Sequence, residues 1–471
     1  MDRKSWQDKV GYHITPDYGL MNDPNGLIKF KDDYHVFYQL NPNGFVHKNK
    51  SWGHMVSTNM VDWEQQPIAL HPDSWFDKDG VYSGCAIEHE EKIYLFYTGN
   101  VIDGGVNKSY QCGAVSEDGQ RFEKLGPLME HPAGYTRHVR DPKVFKSPFQ
   151  ADEWYMVLGA QTNDLKADLL VYKSSNLLEW ELLYNLRSDH DTELGYMLEC
   201  PDLIKIDDQY VLIASPQGLK KEDYRFQNRY HSGYFICDFF EDGSIKLLQP
   251  FKELDHGFEF YAPQTFRNGN QNILYAWMGV MEDEQERLVP TIESSDWLHN
   301  LTIPRLLDLK EGELRQQPAA ALSQLREGKG NKMTFDKAGH FPLQSLQTEI
   351  ILAFEKEADQ FNLTLDRLFS LSFQLEEGVL SFTRQSWVTD EKEQRKLLFD
   401  EGLKEVRIFI DHSIVEIFIN GGACVLSSRI FSRAGSTNEL SFEFSKKSSS
   451  MSLQVFDLKT VDFSAKAINY V

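Results

Sequence analysis

The sequence predicts an all-β protein: a five-bladed β-propeller followed by a C-terminal β-sandwich. Three observations predict it. The 471-residue chain is 41% hydrophobic and 13% aromatic, with Tyr, Phe and Trp gathered in short runs between polar turns, the composition of strands and not of helices. Five such runs recur at near-constant spacing. The regularity then stops near residue 315 and a plainer alternation of apolar and polar residues takes over.

The runs are Tyr34-His-Val-Phe-Tyr38, Ile93-Tyr-Leu-Phe-Tyr97, Trp154-Tyr-Met-Val-Leu158, Tyr210-Val-Leu-Ile-Ala214 and Ile273-Leu-Tyr-Ala-Trp277, spaced by 56 to 63 residues. Each is too short for a stable helix. About ten residues before each lies a turn sequence leading into another apolar stretch: Asp23-Pro-Asn-Gly, Ser83-Gly-Cys, Asp141-Pro-Lys, Pro201-Asp-Leu and Ala262-Pro-Gln. A third strand candidate follows each run. In three units a similar fourth segment follows, at Ser57–Glu64, Ser116–Glu123 and Ser174–Glu181. Four antiparallel strands per unit, repeated five times, make a propeller; the competing reading is an irregular sandwich. Gln317–Arg326 reads as a short helix and Glu327–Lys332 as a linker. Residues 1–315 are thus assigned to the propeller, 316–332 to the connection and 333–471 to the sandwich, where Asn420-Gly421 after Val415–Ile419 signals a hairpin. The sandwich binds glycans, packs on the propeller or forms a homodimer, and the sequence leaves these roles open.

A formal net charge of -22 argues against nucleic acid or an anionic membrane surface as partner. Five cysteines without a CxxC pair suggest neither a disulfide framework nor a zinc site. Met1–Trp6 has no apolar leader run, and no stretch approaches the length of a membrane span, so the cytoplasm is the expected location.

In a propeller the first strand of every blade lines the central channel, and equivalent positions converge on one mouth. Those positions carry Asp23, Ser83, Asp141, Glu199 with Asp202, and Tyr261. Convergent carboxylates serve oxygen-ligand metal binding or glycoside hydrolysis, which needs a carboxylate on one face of the sugar and an acid at the leaving oxygen. No Asp-x-Asp-x-Asp-Gly calcium loop is present. Aromatic residues near the turns, Trp52, Tyr82, Tyr261 and Trp277, favour a sugar, whose apolar face packs on rings.

At these residues the sequence resembles glycoside hydrolase family 32, which contains invertases and sucrose-6-phosphate hydrolases. The resemblance rests on Asn22-Asp-Pro-Asn-Gly26, Tyr82-Ser-Gly-Cys85, Arg140-Asp-Pro142, Glu199-Cys-Pro-Asp202, Phe260-Tyr-Ala-Pro-Gln264, Trp297–Arg305 and Asp411–Asn420, and covers nearly the whole chain. It implies a retaining β-fructofuranosidase without metal or organic cofactor, with Asp23 as nucleophile, Glu199 as general acid/base and Asp141 as transition-state stabiliser. The nucleophile and acid of such an enzyme sit about 5–5.5 Å apart, and Glu199, which must be protonated to help the leaving group depart, is expected to have its ionisation disfavoured by nearby Asp23 and Asp141. Arg140 is expected to hold Asp141. Asn22, Gln39, Trp52, Ser83, Tyr261, Asp255 and Trp277 are expected sugar contacts. Departures from the family pattern fall at Leu20, Cys85, Val139, Leu198 and Glu259 and bear on substrate preference. The blocks His47–His54, Tyr97–Val101 and Gly134–Asp141 are most similar to the bacterial sucrose-6-phosphate hydrolases, and Arg137, His138, His47, Lys48 and Lys50 are the candidate phosphate ligands. A fructo-oligosaccharide exo-hydrolase, an invertase acting on free sucrose and a non-catalytic sugar-binding protein are the alternatives.

Overall fold

The computed structural model describes residues 10–188, 194–389, 391–432, 436–445, 450–461 and 463. Residues Met1–Trp6, read above for a leader, lie outside them. The chain is all-β. Its first part forms five sheets, each built on four antiparallel strands that are consecutive in all but the fifth, and its last part forms two sheets of six strands. The five recurrent runs are the second strands of the five sheets, within Asp33–Asn41, Lys92–Asp103, Trp154–Thr162, Gln209–Gln217 and Gln271–Trp277.

The first strands are Gly19–Phe30, Val81–His89, Tyr135–Lys146, Met197–Ile206 and Tyr261–Asn268. Each touches the next, and the fifth touches the first, so they close a ring. Hydrogen bonds at the repeat interval stitch neighbours together: Val144 N donates to the Cys85 sulfur, and Lys143 Nζ to Asp202, which also accepts from the Thr265 hydroxyl and amide. Cys85 is thus a buried acceptor between the second and third sheets. Asp202, grouped above with the channel-mouth carboxylates, is instead consumed by this stitching.

The Ser-x-Asn/Asp segments, read as part of the fourth strand, are the turns that enter it. Ser57, Ser116 and Ser174 each end a third strand. Their hydroxyls accept backbone N–H bonds from Asn59, Gly119 and Leu177, and the residue three places on is left-handed each time: Met60, Gly119 and Leu177 at φ of 61°, 73° and 65°.

The fifth sheet is interrupted. Between its second strand and Arg305–Lys310 the chain inserts two short helices, Asp283–Arg287 and Thr291–Ser294, and a two-residue strand, Trp297–Leu298, that pairs in parallel with Gly19–Leu20 of the first sheet. The ring is therefore closed by backbone as well as by packing. The last strand of the fifth sheet runs to Pro318, and the expected short helix is a 3-10 helix at Ala320–Leu325. Strand pairing resumes at Asn331. The Asn420-Gly421-Gly422 turn joins Ile414–Ile419 to Cys424–Arg429, all three turn residues having positive φ.

The two six-stranded sheets face each other across one apolar core, with Ile350, Leu352, Val406 and Ile417 from one and Phe361, Leu363, Phe373 and Leu380 from the other. This last region packs on the first through buried ions. Arg305, from the fifth sheet, donates to Glu416 at 2.5 and 3.1 Å, to Asp255 at 3.1 Å and to Ser427 at 2.6 Å. Arg384 grips Glu259 at 2.7 Å, so the Glu259 departure belongs to this junction. His13 bridges Asp411 and Glu416.

Candidate active site

Every first strand carries a one-residue bulge at an equivalent place. Against their second strands the registers slip by one residue between Met21 and Pro24, Val81 and Gly84, Arg140 and Lys143, Glu199 and Asp202, and Tyr261 and Gln264. A bulge breaks strict alternation, bends the strand and re-aims side chains. The motifs read as turns are therefore bulged strands. Their residues suit that role: Pro142, Pro201 and Pro263 have no N–H to leave unpaired, and a Cβ on Gly84 would come 1.8 Å from the Phe96 carbonyl oxygen. Asp141, Cys200 and Ala262 take positive φ of 66°, 46° and 50° in their bulges, a conformation costing about 1–3 kcal/mol each.

The bulges bring Asp23, Asp141 and Glu199, from three different sheets, into one cleft of about 440 Å³ at one end of the ring, a volume in the range of small-molecule sites. Asp23 accepts from the Ser83 hydroxyl at 2.5 Å and from Asn22 Nδ2 at 3.1 Å. The Ser83 hydroxyl in turn accepts from Gln39 Nε2 at 3.0 Å. Asp141 accepts from the backbone N–H of Cys200 at 3.0 Å, and its own N–H donates to Thr98 Oγ1 at 3.0 Å. The Cys200 sulfur stands 3.6 Å from Asp141 and 3.8 Å from Asp23, so one thiol touches both carboxylates.

Glu199 is gripped from two sides. Arg140 donates twice to Oε1, at 2.9 and 2.6 Å, while Gln217 and the Tyr261 hydroxyl each donate to Oε2 at 2.6 Å. The expectation that Arg140 would hold Asp141 is corrected here: its guanidinium bonds Glu199, on the next sheet, and its remaining nitrogen reaches His138 Nδ1 at 3.0 Å. Arg140 still acts on Asp141 through space. Burial raises the Asp141 carboxyl above its ordinary range; Arg140 opposes the rise, and the charges of Glu199 and Asp23 add to it. Asp23 is raised chiefly by burial and then by Glu199, against its hydrogen bonds from Ser83 and Asn22. Burial and the charge of Glu199 push the Tyr261 phenol up, which keeps it a donor. Asp23 and Asp141 thus hold a proton more readily than isolated carboxylates would.

Asn22, Gln39, Ser83, Arg140, Tyr261 and Trp277 line the cleft as expected, together with Tyr82. Trp52 does not: it is fully buried behind the wall, its indole N–H donating to the Tyr82 carbonyl. Asp255 does not either. It lies in the ionic junction, accepting from Ser427 N, Ser427 Oγ and Arg305. Of the phosphate candidates, His47, Lys50 and His138 line the cleft, whereas Lys48 and Arg137 are exposed and stand outside its wall.

Gln217, Arg229, Tyr230 and Glu286 line the cleft without having been foreseen. Gln217 had a signal, since the second strands of the first, third and fourth sheets carry Gln39, Gln161 and Gln217 near their ends. Glu286 comes from the insertion, which has no counterpart in the repeat. It forms the set of potential metal ligands found among the described residues, with His47 and His299, whose ligand atoms lie within 4.8 Å of one another. Both imidazole Nε2 atoms are already on Glu286 Oε1, at 3.0 and 2.8 Å.

The model described as glycosyl hydrolases family 32 N-terminal domain matches residues 13–318, and that described as glycosyl hydrolases family 32 C terminal matches residues 313–460. The chain is 42% identical over 434 residues to the sucrose-6-phosphate hydrolase of Bacillus subtilis (strain 168), covering 89% of this chain and 88% of that protein. It is 41% identical over 429 residues to that of Klebsiella pneumoniae, with the same shares covered. Among solved structures, the sucrose-6-phosphate hydrolase of Lactobacillus gasseri superposes with a TM-score of 0.84 at 29% identity, covering 97% of this chain and 95% of that one. A mutant Bombyx mori GH32 beta-fructofuranosidase in complex with sucrose superposes with a TM-score of 0.81 at 30% identity, covering 96% and 94%.

Proposed function

The chain belongs to glycosyl hydrolase family 32, and from that premise we propose that Asp23 is its nucleophile, Glu199 its general acid/base and Asp141 the stabiliser of its transition state. It is a glycoside hydrolase of the β-fructofuranosidase type, acting on sucrose-6-phosphate or sucrose. The observation that carries the residue roles is the convergence of Asp23, Asp141 and Glu199 on one cleft, with the Cys200 sulfur in contact with the first two.

An Asp23 oxygen attacks the anomeric carbon of the fructosyl unit as the bond to the leaving oxygen breaks, and Glu199 gives that oxygen its proton. Water then attacks the same carbon, Glu199 takes a proton from it, and the ester to Asp23 is released. Ser83 and Asn22 fix the nucleophile's oxygens, so little reorganisation is needed at the moment of attack. Asp141 accepts hydrogen bonds from the fructosyl hydroxyls, and these strengthen as positive charge develops on the ring. Arg140, Gln217 and Tyr261 aim Glu199, and the approaching leaving oxygen takes the place of one of these donors.

The fold is read as a five-bladed propeller over residues 1–315 and a sandwich over 333–471, joined by 316–332; the closed ring of first strands and the single core shared by two facing sheets support it. The protein is placed in the cytoplasm, where a phosphorylated sugar is available. Among the described residues no helix is long and apolar enough to cross a membrane.

A phosphate on the glucosyl half falls to His138 and Arg229, which line the cleft; His47 lines it too but is taken up by Lys50 and Glu286. The test compares kcat/KM for sucrose-6-phosphate, sucrose and 1-kestose. The expected preference for the phosphorylated sugar is tenfold or more, about 1.4 kcal/mol of differential transition-state binding. Equal use would remove the phosphate pocket, and a preference for 1-kestose would move the enzyme to fructans.

A further inference from the structure

Lys50 was expected at the phosphate, yet the structure turns it inward. It is 4% exposed and directly precedes the third strand of the first sheet, Ser51–Ser57. Its carbonyl accepts from Val81 N, which bolts it to the second sheet. Its ammonium donates to Asn22 Oδ1 and stands 3.3 Å from His47 Nδ1.

Asn22 is the neighbour that binds the nucleophile. Its Nδ2 donates to Asp23 Oδ1 at 3.1 Å and reaches Gln39 Oε1 at 3.4 Å. A carboxamide has two nearly isosteric ends, one an acceptor and one a donor. Beside a carboxylate, only the NH2 end is attractive. The ammonium fixes that choice by occupying the carbonyl end. Behind Lys50, His47 stands 3.3 Å away through Nδ1 and bonds Glu286 through Nε2, and His299 holds Glu286 from the other side.

We propose that Lys50 is a positioning residue for the nucleophile: its ammonium pins the Asn22 amide so that the NH2 group faces Asp23, and the His47–Glu286–His299 set holds the ammonium in place. The inference rests on Asp23 as nucleophile. A buried ammonium is costly, and burial indeed pushes Lys50 down to about 7 while Asp23 and Glu286 hold it up. The charged and titratable groups facing this pair are Glu286 and His47 at Lys50, and Glu199, Asp141 and Cys200 at Asp23.

The test is Lys50→Met, assayed on sucrose and on sucrose-6-phosphate across pH. kcat is expected to fall about tenfold or more on both substrates, with KM little changed and the ratio of the two kcat/KM values preserved. The acid limb of kcat/KM moves to higher pH, because Asp23 loses a nearby cation that favours its charged form. At pH above the acid limb, where the cation's effect on Asp23 ionisation is no longer felt, Lys50→Met added to Asn22→Ala costs little more in kcat than Asn22→Ala alone, since both act on the Asn22–Asp23 contact. If Lys50→Met does not fold by circular dichroism, Lys50→Leu, which likewise removes both the donor and the charge, is read in the same way. A loss confined to the phosphorylated substrate would assign Lys50 to the phosphate and overturn the proposal, as would an unchanged kcat and acid limb. If Asp23→Ala kept its activity, the nucleophile reading itself would fall; a silent Lys50→Met in an enzyme that needs Asp23 sinks this inference alone.

Discussion

Asp23→Ala is expected to lower kcat on sucrose by at least ~10^4-fold while leaving the fold intact. The size follows from the role: removing one acid or base that acts in the transition state costs about 10^2–10^4-fold, and removing a nucleophile leaves no first step. The fold should survive because Asp23 adds nothing to the apolar cores. Its carboxylate is held raised by burial and by Glu199, so an alanine relieves like-charge crowding. The bulge itself is set by the register of Gly19–Phe30 on Asp33–Asn41, not by the side chain. Initial rates and a thermal melt on the same preparation separate the two effects. Residual turnover above a hundredth of the parent's would refute the assignment.

The second large effect lies far from the cleft. Arg305→Met should destabilise the chain by about 3–5 kcal/mol, because it leaves buried carboxylates uncompensated. Asp255 and Glu416 both lose their guanidinium, and neither has solvent to turn to. The pH dependence gives the mechanism. Glu416 sits below its ordinary value in the folded state, burial opposing that shift while Arg305 and His13 outweigh it. A depressed carboxyl contributes stability above its unfolded value and loses it as pH falls through the folded one. Without Arg305 that depression shrinks, so the variant's deficit at pH 7 should narrow on the acid side. Urea unfolding at several pH values measures it; a deficit under 1 kcal/mol at pH 7 would contradict a junction held by ions.

Much of this was legible in the sequence because it is periodic. The aromatic runs recur at spacings of 56 to 63 residues, and each proved to be a second strand. Of the carboxylates at equivalent places, Asp23, Asp141 and Glu199 met in one cleft and Asp202 did not. What could not be read was register. The bulges that aim Asp23, Asp141 and Glu199 are one-residue slips against a partner strand, and Asn22-Asp-Pro-Asn-Gly26 has the local chemistry of a turn whether or not it is one. Asp255 and Glu259 were misread or left unplaced for a different reason: their partners, Ser427 and Arg384, sit more than a hundred residues away in the last region. Lys50 reads as one cation in a run of loop charges until the packing of Val81 on its carbonyl encloses it. Glu286 and His299 belong to an insertion with no repeat partner, so no comparison between units exposed them.

The most direct test of the central claim is to trap the intermediate. The enzyme, with Glu199→Ala to slow release of the ester, is mixed with β-fructofuranosyl fluoride, whose leaving group needs no proton from Glu199, quenched in acid, digested and analysed by mass spectrometry. A fructosyl ester on the peptide that carries Asp23, absent from the Asp23→Ala control, is the predicted result. A fructosyl group on a different residue, or release of fructose with inverted anomeric configuration, would contradict the account.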